Sequence, residues 1–275
     1  MKKTILVAVD FTPVSYNALT YACELSKNQT TEIIAVHLLD ENITGQFHAG
    51  KNLAVRKMAE RMYQEILLKT KNDLDNFLSG LRNSYGDIIR PVISHGTIYE
   101  AFNEVASKFD SSMIVMGTHG IIGMQSVFGS RAYKVVAKTY HPFLIVQDNV
   151  YKPFHNIYMV FKDLERLQNF SDDLLVFAGY FTGNFILNTL SGELTDTNQL
   201  PDNLKGLAER TKTICEKLMD SNIVDRAVAH GADALGICID EIDNFTDETY
   251  GMTQDKILAN KENMPVYCLP ASASL

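Results

Sequence analysis

Short apolar runs and amphipathic stretches alternate along the first 150 residues of the chain. The apolar runs have the length and the unbroken hydrophobicity of strands that are buried on both faces, as in a parallel sheet. The stretches between them place apolar residues at helical spacing. The predicted strands are 4–9, 32–39, 91–94, 113–116 and 142–147, and the predicted helices are 14–26, 54–81, 98–106 and 131–138. This alternation predicts an α/β fold with an open, mostly parallel sheet that is flanked by helices.

The helix predicted at 54–81 is much longer than the others and carries charges of both signs. Apolar residues recur along it at spacings that bring them onto one side. The residues expected to cover the sheet are Leu53, Met58, Met62, Ile66 and Leu74. Its methionines favour core packing over a peptide-binding groove, because flexible thioether side chains fill irregular gaps.

The second half of the chain repeats the pattern of the first half with little identity. Segments 5–10 and 32–38 match 157–162 and 184–190 at an offset of 152 residues, and 113–116 matches 236–239 at an offset of 123. The second copy is therefore 29 residues shorter between its second strand and its last unit. Because the gap includes the position of strand 91–94, we expect the second sheet to have one strand fewer.

The repeat predicts two domains, residues 1–150 and 151–275, with a short proline-bearing linker at 151–154. A length of 275 residues agrees with about two domains. The formal charge of −8 argues against a broad nucleic-acid surface, which needs clustered Lys and Arg. There is no apolar stretch of about 18 residues and no signal leader, so we expect a cytoplasmic protein without membrane contact. The four cysteines form no C-x-x-C pair and are expected to be buried free thiols.

A glycine-bearing segment follows the apolar strand 113–116 and leads into a predicted helix. Gly117 and Gly120 allow the backbone to turn and to approach a ligand without a Cβ in the way. Gly129 and Ser130 precede the helix, whose unpaired N–H groups and positive dipole end attract anions. The segment therefore predicts a phosphate-binding loop, and the alternative is a glycine-rich connection without a ligand.

This segment resembles the ATP-binding motif of the universal stress protein family, usually G-x2-G-x9-G-[ST]. Gly117 and Gly120 have the family spacing here, and eight residues instead of nine separate Gly120 from Gly129. The common fingerprints G-x-x-x-x-G-K-[ST] and G-x-G-x-x-G do not match this segment. Family members also carry an Asp at the end of the first strand, where Asp10 stands.

The resemblance implies two Rossmann-like domains of the adenine nucleotide alpha hydrolase-like type, arranged as a pseudo-dimer through the strands 143–147 and 266–269. It also implies that ATP, accompanied by Mg²⁺, binds the first domain with its base beside Asp10 and Leu38. The residues expected to bind the nucleotide are Ala8, Val9, Asp10, Leu38, Met116, Gly117, Thr118, His119, Gly120, Gly129, Ser130 and Arg131. No catalytic and no metal-ligating residue is assigned.

Four polar residues near the predicted strand ends have structural interpretations. The alternative to a ligand contact for Asp10 is that Asp10 or Thr12 merely caps the first helix. His37 is interpreted as a sheet residue with a hydrogen-bonded ring, rather than as a catalyst. His95 has no Cys or carboxylate at ligand spacing and is interpreted as a loop residue.

The second copy has lost all five key positions of the predicted nucleotide site. The residues that replace Asp10, Gly117, Gly120, Gly129 and Ser130 are Lys162, Asp240, Asp243, Met252 and Thr253. The replacement loop 240–248 carries five acidic residues, which would repel a polyphosphate. The sequence therefore predicts one nucleotide per chain.

These observations favour an ATP-binding regulatory protein of the stress response, with an unidentified protein partner and the option of a homodimer. One alternative is an enzyme of related fold that hydrolyses ATP or transfers its adenylyl group. A P-loop lysine and a paired catalytic base are missing near Ser130, which favours binding without turnover. His119 is the side chain that could orient an attacking water. A third alternative is a purely structural dimerisation module.

Overall fold

A computed structural model describes residues 3–27, 29–39, 53–118, 135–147, 150–215, 223–239 and 262–270. Within these ranges ten strands form one sheet. The strands are β1 (Lys3–Val9), β2 (Thr31–Leu38), β3 (Ile89–Ser94), β4 (Ser111–Gly117), β5 (Phe143–Val146), β6 (Asn156–Phe161), β7 (Asn184–Thr189), β8 (Thr211–Ile214), β9 (Ala234–Ile239) and β10 (Val266–Pro270). The helices are α1 (Pro13–Ser26), α2 (Leu53–Tyr85), α3 (Ile98–Lys108), α4 (Leu164–Asn169), α5 (Ser171–Ala178) and α6 (Ile223–Ala229), with 3-10 helices at Thr197–Gln199 and Asp202–Arg210.

The strand order is β3-β2-β1-β4-β5-β10-β9-β6-β7-β8. Each half of the sheet has the same internal order, because β6 to β10 take the places of β1 to β5 in reverse direction across the sheet. All neighbours are parallel except β5 and β10, which are antiparallel. The predicted α/β class with a mostly parallel open sheet is confirmed.

Alternate residues of each strand enter two apolar layers, one on each face of the sheet. Ile5 and Val7 lie in the layer that α1, α2, α4 and α5 cover, whereas Leu6 lies in the layer of α3 and α6. Both layers run across the two halves. This burial on both faces explains why the strands read as unbroken apolar runs in the sequence.

The last strands of the two halves pair with each other and so connect the halves into one sheet. Tyr267 pairs with Leu144 and Cys268 with Phe143 in the antiparallel β5–β10 register. The Tyr267 ring stacks on Phe177 at a centroid distance of 3.7 Å. Gln147 adds a buried hydrogen bond across the joint, donated to the carbonyl of Met264. The pairing that the resemblance implied for these strands is therefore present.

The prediction that the second sheet has one strand fewer is wrong. Strand β8 pairs with β7 in the place that β3 takes beside β2. The missing 29 residues come instead from the preceding connection, which spans residues 190–210 after β7 but residues 39–88 after β2. Two short 3-10 helices stand there in place of the long helix α2. The edge strand with its ladder hydrogen bonds is thus kept in the second half, and the long helix is not.

The expected packing of α2 is only partly correct. Leu74 is buried, and Leu78 and Leu81 follow it into the core. Met58 is 66% exposed and Met62 is 47% exposed, so they do not cover the sheet. A 33-residue helix is about 50 Å long, which exceeds the length of the strands beneath it.

The described cysteines are free thiols, as expected. Cys23 and Cys268 are buried, but Cys215 is exposed, so the expectation that all four cysteines are buried is wrong. Burial raises the pKa of the Cys23 thiol to about 12. None of the helices in the described ranges is sufficiently long and apolar to span a membrane.

Candidate functional site

A pocket of about 230 Å³ lies at the carboxyl ends of β1, β2 and β4. The residues that line it are Ala8, Val9, Asp10, Thr12, Ser15, Val36, His37, Leu38, Ile98, Phe102, Met116 and Gly117. The chain winds to β2 on one side of β1 and to β4 on the other, so the pocket lies where the winding reverses. Open α/β sheets bind ligands at this position.

The start of α1 fixes the polar end of the pocket. Thr12 is the N-cap residue, and its hydroxyl accepts a hydrogen bond from the Ser15 N–H. Pro13 follows at the first helical turn, where its missing N–H costs nothing. The structural interpretation of Thr12 is therefore correct. Asp10 does not cap the helix directly, because its carboxylate accepts from the N–H and the hydroxyl of Thr12.

The Asp10 carboxylate is exposed and lies among mostly apolar lining residues. Its contacts to Thr12 involve one oxygen, Oδ1. A carboxylate can accept several hydrogen bonds, so capacity remains for a ligand that donates N–H or O–H.

The His37 ring ties the ends of β1 and β2 together. Its Nδ1 lies 2.8 Å from the carbonyl oxygen of Val9. A carbonyl oxygen only accepts, so Nδ1 must carry the proton. The interpretation of His37 as a sheet residue with a hydrogen-bonded ring is confirmed, and the ring is also part of the pocket lining.

The backbone turns sharply directly after Asp10. Phe11 has φ of +64°, a left-handed conformation that is uncommon for a residue with a bulky side chain. Its ring packs against His37 at 4.5 Å and edge-on against Phe77 at 5.6 Å. These aromatic contacts hold the strained residue and thereby the position of the neighbouring Asp10.

Helix α3 forms the apolar wall opposite β1. Its N-terminus is held by Glu100, whose carboxylate accepts hydrogen bonds from the N–H and the hydroxyl of Thr97. The first turns then bring Ile98 and Phe102 to the pocket. Phe102 is buried, whereas Ile98 lies at the rim with 36% exposure.

Gly117, at the end of β4, is required by packing. A Cβ at this position would lie 2.5 Å from Cγ1 of Val14 and 3.1 Å from the backbone of the same residue. Gly117 is not among the glycines with positive φ. The close approach is therefore to the start of α1, a packing role that the sequence did not indicate and that adds to the position of Gly117 in the pocket lining.

The structure brings six of the twelve predicted nucleotide-binding residues together around the pocket: Ala8, Val9, Asp10, Leu38, Met116 and Gly117. Thr118 is buried instead, and its N–H donates to the carbonyl of Val146. The other five, His119, Gly120, Gly129, Ser130 and Arg131, lie outside the described residues, as do the second-copy positions 240, 243, 252 and 253.

Sequence reasoning missed six residues of the lining: Thr12, Ser15, Val36, the His37 ring, Ile98 and Phe102. The two residues of α3 had a usable signal. Helix α3 follows the strand next to β2, and its apolar stripe begins at its first residue, so its N-terminal turn has to lie at the same edge of the sheet as Asp10.

The other singled-out histidine lies outside this lining. His95 Nε2 is 2.9 Å from the hydroxyl of Tyr63 on α2. The described ranges contain no group of three or more His, Cys, Asp or Glu residues that could hold a metal ion.

The corresponding end of the second half is built differently. Lys162 takes the place of Asp10, and the larger Phe161 that of Val9. The carbonyl of Phe161 accepts the N–H of Leu190, whereas the carbonyl of Val9 accepts the His37 ring. The chain after β7 thus continues along the end of β6, and the Ser191 N–H donates to the Lys162 carbonyl.

The fold and the pocket define an α/β protein with an open pocket at the switch point of a parallel sheet. A sequence profile described as the universal stress protein family matches residues 1–147, which is more than half of the chain. The chain belongs to the universal stress protein family.

Two curated relatives agree with this assignment. The chain is 26% identical over 143 residues to universal stress protein A homolog 1 of Coxiella burnetii, which covers 49% of this chain and 88% of the relative. It is 26% identical over 147 residues to universal stress protein MJ0531 of Methanocaldococcus jannaschii, which covers 53% of this chain and 82% of the relative. Both matches account for about half of this chain.

A solved structure is similar over nearly the whole length. The crystal structure of a universal stress protein from Archaeoglobus fulgidus superposes with a TM-score of 0.60 and 13% identity, covering 99% of this chain and 97% of the other. At this identity the similarity concerns the fold alone. It includes the second half, which the family profile does not match.

Proposed function

We propose that the first half of the chain binds an adenine nucleotide, ATP with Mg²⁺, and that the protein acts as a regulator in the stress response. The observation that carries the proposal is the pocket at the strand ends, which is apolar except for a few polar groups grouped at Asp10. Family membership and the glycine-bearing segment after β4 support it.

The size and chemistry of the pocket suit the base of the nucleotide. Its volume of about 230 Å³ is below the roughly 300–1,000 Å³ of sites that enclose whole ligands. An adenine ring packs well against apolar side chains such as Phe102 and Met116. The Asp10 carboxylate then accepts a hydrogen bond from the adenine amino group or a ribose hydroxyl.

We propose that the phosphates extend toward the segment after Gly117, where Gly120, Gly129, Ser130 and Arg131 provide N–H groups and one cation. Magnesium supplies countercharge for the phosphates when bound. It keeps several waters and needs few protein ligands.

Two domains with one nucleotide site complete the proposal. Residues 1–150 form the binding domain and residues 151–275 a degenerate copy. The cationic Lys162 and bulky Phe161 at the second strand end, together with the covering turn at Leu190, support a single site. Backbone donors bind ground and transition states alike, which raises affinity without accelerating hydrolysis.

Identification of co-purified small molecules tests the proposal. The protein is purified without added nucleotide and denatured, and the released molecules are identified by mass spectrometry. We expect an adenine nucleotide, and in a separate assay ATP turnover far below about 1 per second. Turnover at that rate or faster, lost in His119→Ala, would instead establish the enzyme. Absence of any nucleotide, together with no binding of added ATP, would favour a structural module.

A further inference from the structure

We propose that the second half of the chain binds a small phosphorylated sugar in a pocket at the opposite edge of the sheet. This pocket has a volume of about 310 Å³ and lies at the amino ends of β6, β7 and β8. Its lining is Asn156, Asn184, Ile186, Glu209, Arg210, Thr211, Lys212 and His230. The proposal does not rest on nucleotide binding in the first half.

The guanidinium of Arg210 is held in place before any ligand arrives. Its Nε and Nη2 donate to the carbonyl of Gly183 at 2.9 and 2.7 Å, and Nη2 also donates to that of Phe181 at 2.8 Å. The Phe181 ring packs against the guanidinium at 5.3 Å. Among the described residues no acceptor binds Nη1. A fixed guanidinium with free N–H groups is well suited to a phosphate oxygen, because little side-chain entropy is lost on binding.

Lys212 adds a second cation to the same pocket. It is the second residue of β8, faces Ile186 of β7 in the strand register, and is exposed. In the part of the chain that the structure describes, no carboxylate forms an ion pair with it. Two cations lining one pocket stand out in a chain with a formal charge of −8.

The equivalent strand positions of the two halves differ in their charged residues. Arg90 of β3 faces Ile34 as Lys212 faces Ile186, so the two cations are equivalent in the sheet. Glu32 lies two residues before Ile34 in the first half. The equivalent residue, two before Ile186 in the second half, is Asn184.

The carboxylate at this register position is thus replaced by a neutral amide. A further cation, Arg210, is added just before β8. The second half therefore has two cations in this pocket and no carboxylate at the register position where the first half has Glu32, which favours an anionic ligand.

The remaining polar groups favour a ligand with hydroxyl groups. The side chain of Asn184 donates to Asn156, which in turn donates to the carbonyl of Gly231, so the amides are fixed. The exposed Glu209 carboxylate also lines the pocket and can accept from sugar hydroxyls. A sugar phosphate can present hydroxyl groups to Glu209 while its phosphate lies at the two cations, which favours it over free phosphate.

Titration of the full chain with glucose 6-phosphate tests the proposal, with glucose and inorganic phosphate as comparison probes. We expect saturable binding of glucose 6-phosphate, weaker binding of phosphate, and none of glucose. Lys212→Gln should raise the dissociation constant about tenfold, and Asn184→Glu, which restores the carboxylate of the first half, by at least as much. The control Lys205→Gln removes the same charge from a residue that pairs with Asp202 outside the pocket.

Equal binding by all three variants would show unspecific attraction to surface charge and overturn the proposal. No saturable binding of glucose 6-phosphate by the unaltered protein would overturn it as well. Because Lys212 and Asn184 are exposed, we expect all variants to fold, and their melting temperatures without ligand check this.

Discussion

At the scale of single residues, Asp10 is the charged side chain among the described lining of the strand-end pocket. Asp10→Asn keeps an oxygen for the contacts with Thr12 but removes the negative charge offered to the ligand. A hydrogen bond to a charged group contributes about 1.5–3 kcal/mol, so ATP affinity should fall roughly 10- to 100-fold by calorimetry. Asp87→Asn, an exposed turn residue, is the matched control. Equal affinities for both variants would exclude Asp10 from the site.

Asp173 provides a second prediction at this scale, for stability. Burial, and then the neighbouring Asp172, raise the pKa of its carboxyl above the ordinary value. The unfolded chain therefore loses this proton at lower pH than the folded protein does, and stability falls as pH rises through the interval between the two pKa values. Asp173→Asn should stabilise the protein at pH 7 and change little at about pH 3, where both states hold the proton. Melting curves at the two pH values check this, and an equal effect at both would contradict it.

At the scale of elements, the contact between β4 and α1 depends on Gly117. A methyl group there meets Val14, and overpacking of this kind costs about 1–3 kcal/mol. Gly117→Ala should therefore lower the free energy of unfolding by that amount. Gly206→Ala, where nothing lies within 4 Å of the added Cβ, is the control. Chemical denaturation of the two variants measures the difference, and equal stabilities would refute the packing role.

The sequence predicted most elements because their apolar periods are strong. Strands β1, β2 and β4 were found within one or two residues, since residues buried on both faces must all be apolar. Strand β8 was missed because Thr211–Ile214 is short and half polar, as befits an edge strand. The packing of the first half of α2 was predicted wrongly. Apolar residues at helical spacing show which side of a helix is apolar, but not whether a sheet lies beneath that side.

The site was predictable in part for a similar reason. Asp10 and Gly117 stand at strand ends, where topology alone brings residues together. The contribution of the His37 ring depends on side-chain packing, which no spacing reveals. Phe102 was missed although the position of helix α3 in the topology gave a signal for it. The packing role of Gly117 was missed because a glycine in a sequence does not tell which neighbour needs the space.

At the scale of the whole molecule, the joint between β5 and β10 makes one sheet from two halves. Tyr267 is buried there against Phe177. Tyr267→Ala should cost about 3–5 kcal/mol, because it removes a large buried ring from a layer shared by both halves. Tyr140→Ala, at a residue 68% exposed, should cost little. Denaturant unfolding measures both, and a loss below about 1 kcal/mol for Tyr267→Ala would show that the shared layer does not depend on this ring.

We propose that each chain holds one adenine nucleotide, in the first half. Calorimetric titration of the full chain with ATP and Mg²⁺ tests it most directly, with Asp10→Asn and Lys162→Gln measured alongside. Lys162 stands at the position of Asp10 in the second copy. We expect a stoichiometry near one, weakened by Asp10→Asn and unchanged by Lys162→Gln. Two equivalent sites, a single site that responds to Lys162→Gln instead, or no binding at all would contradict the account.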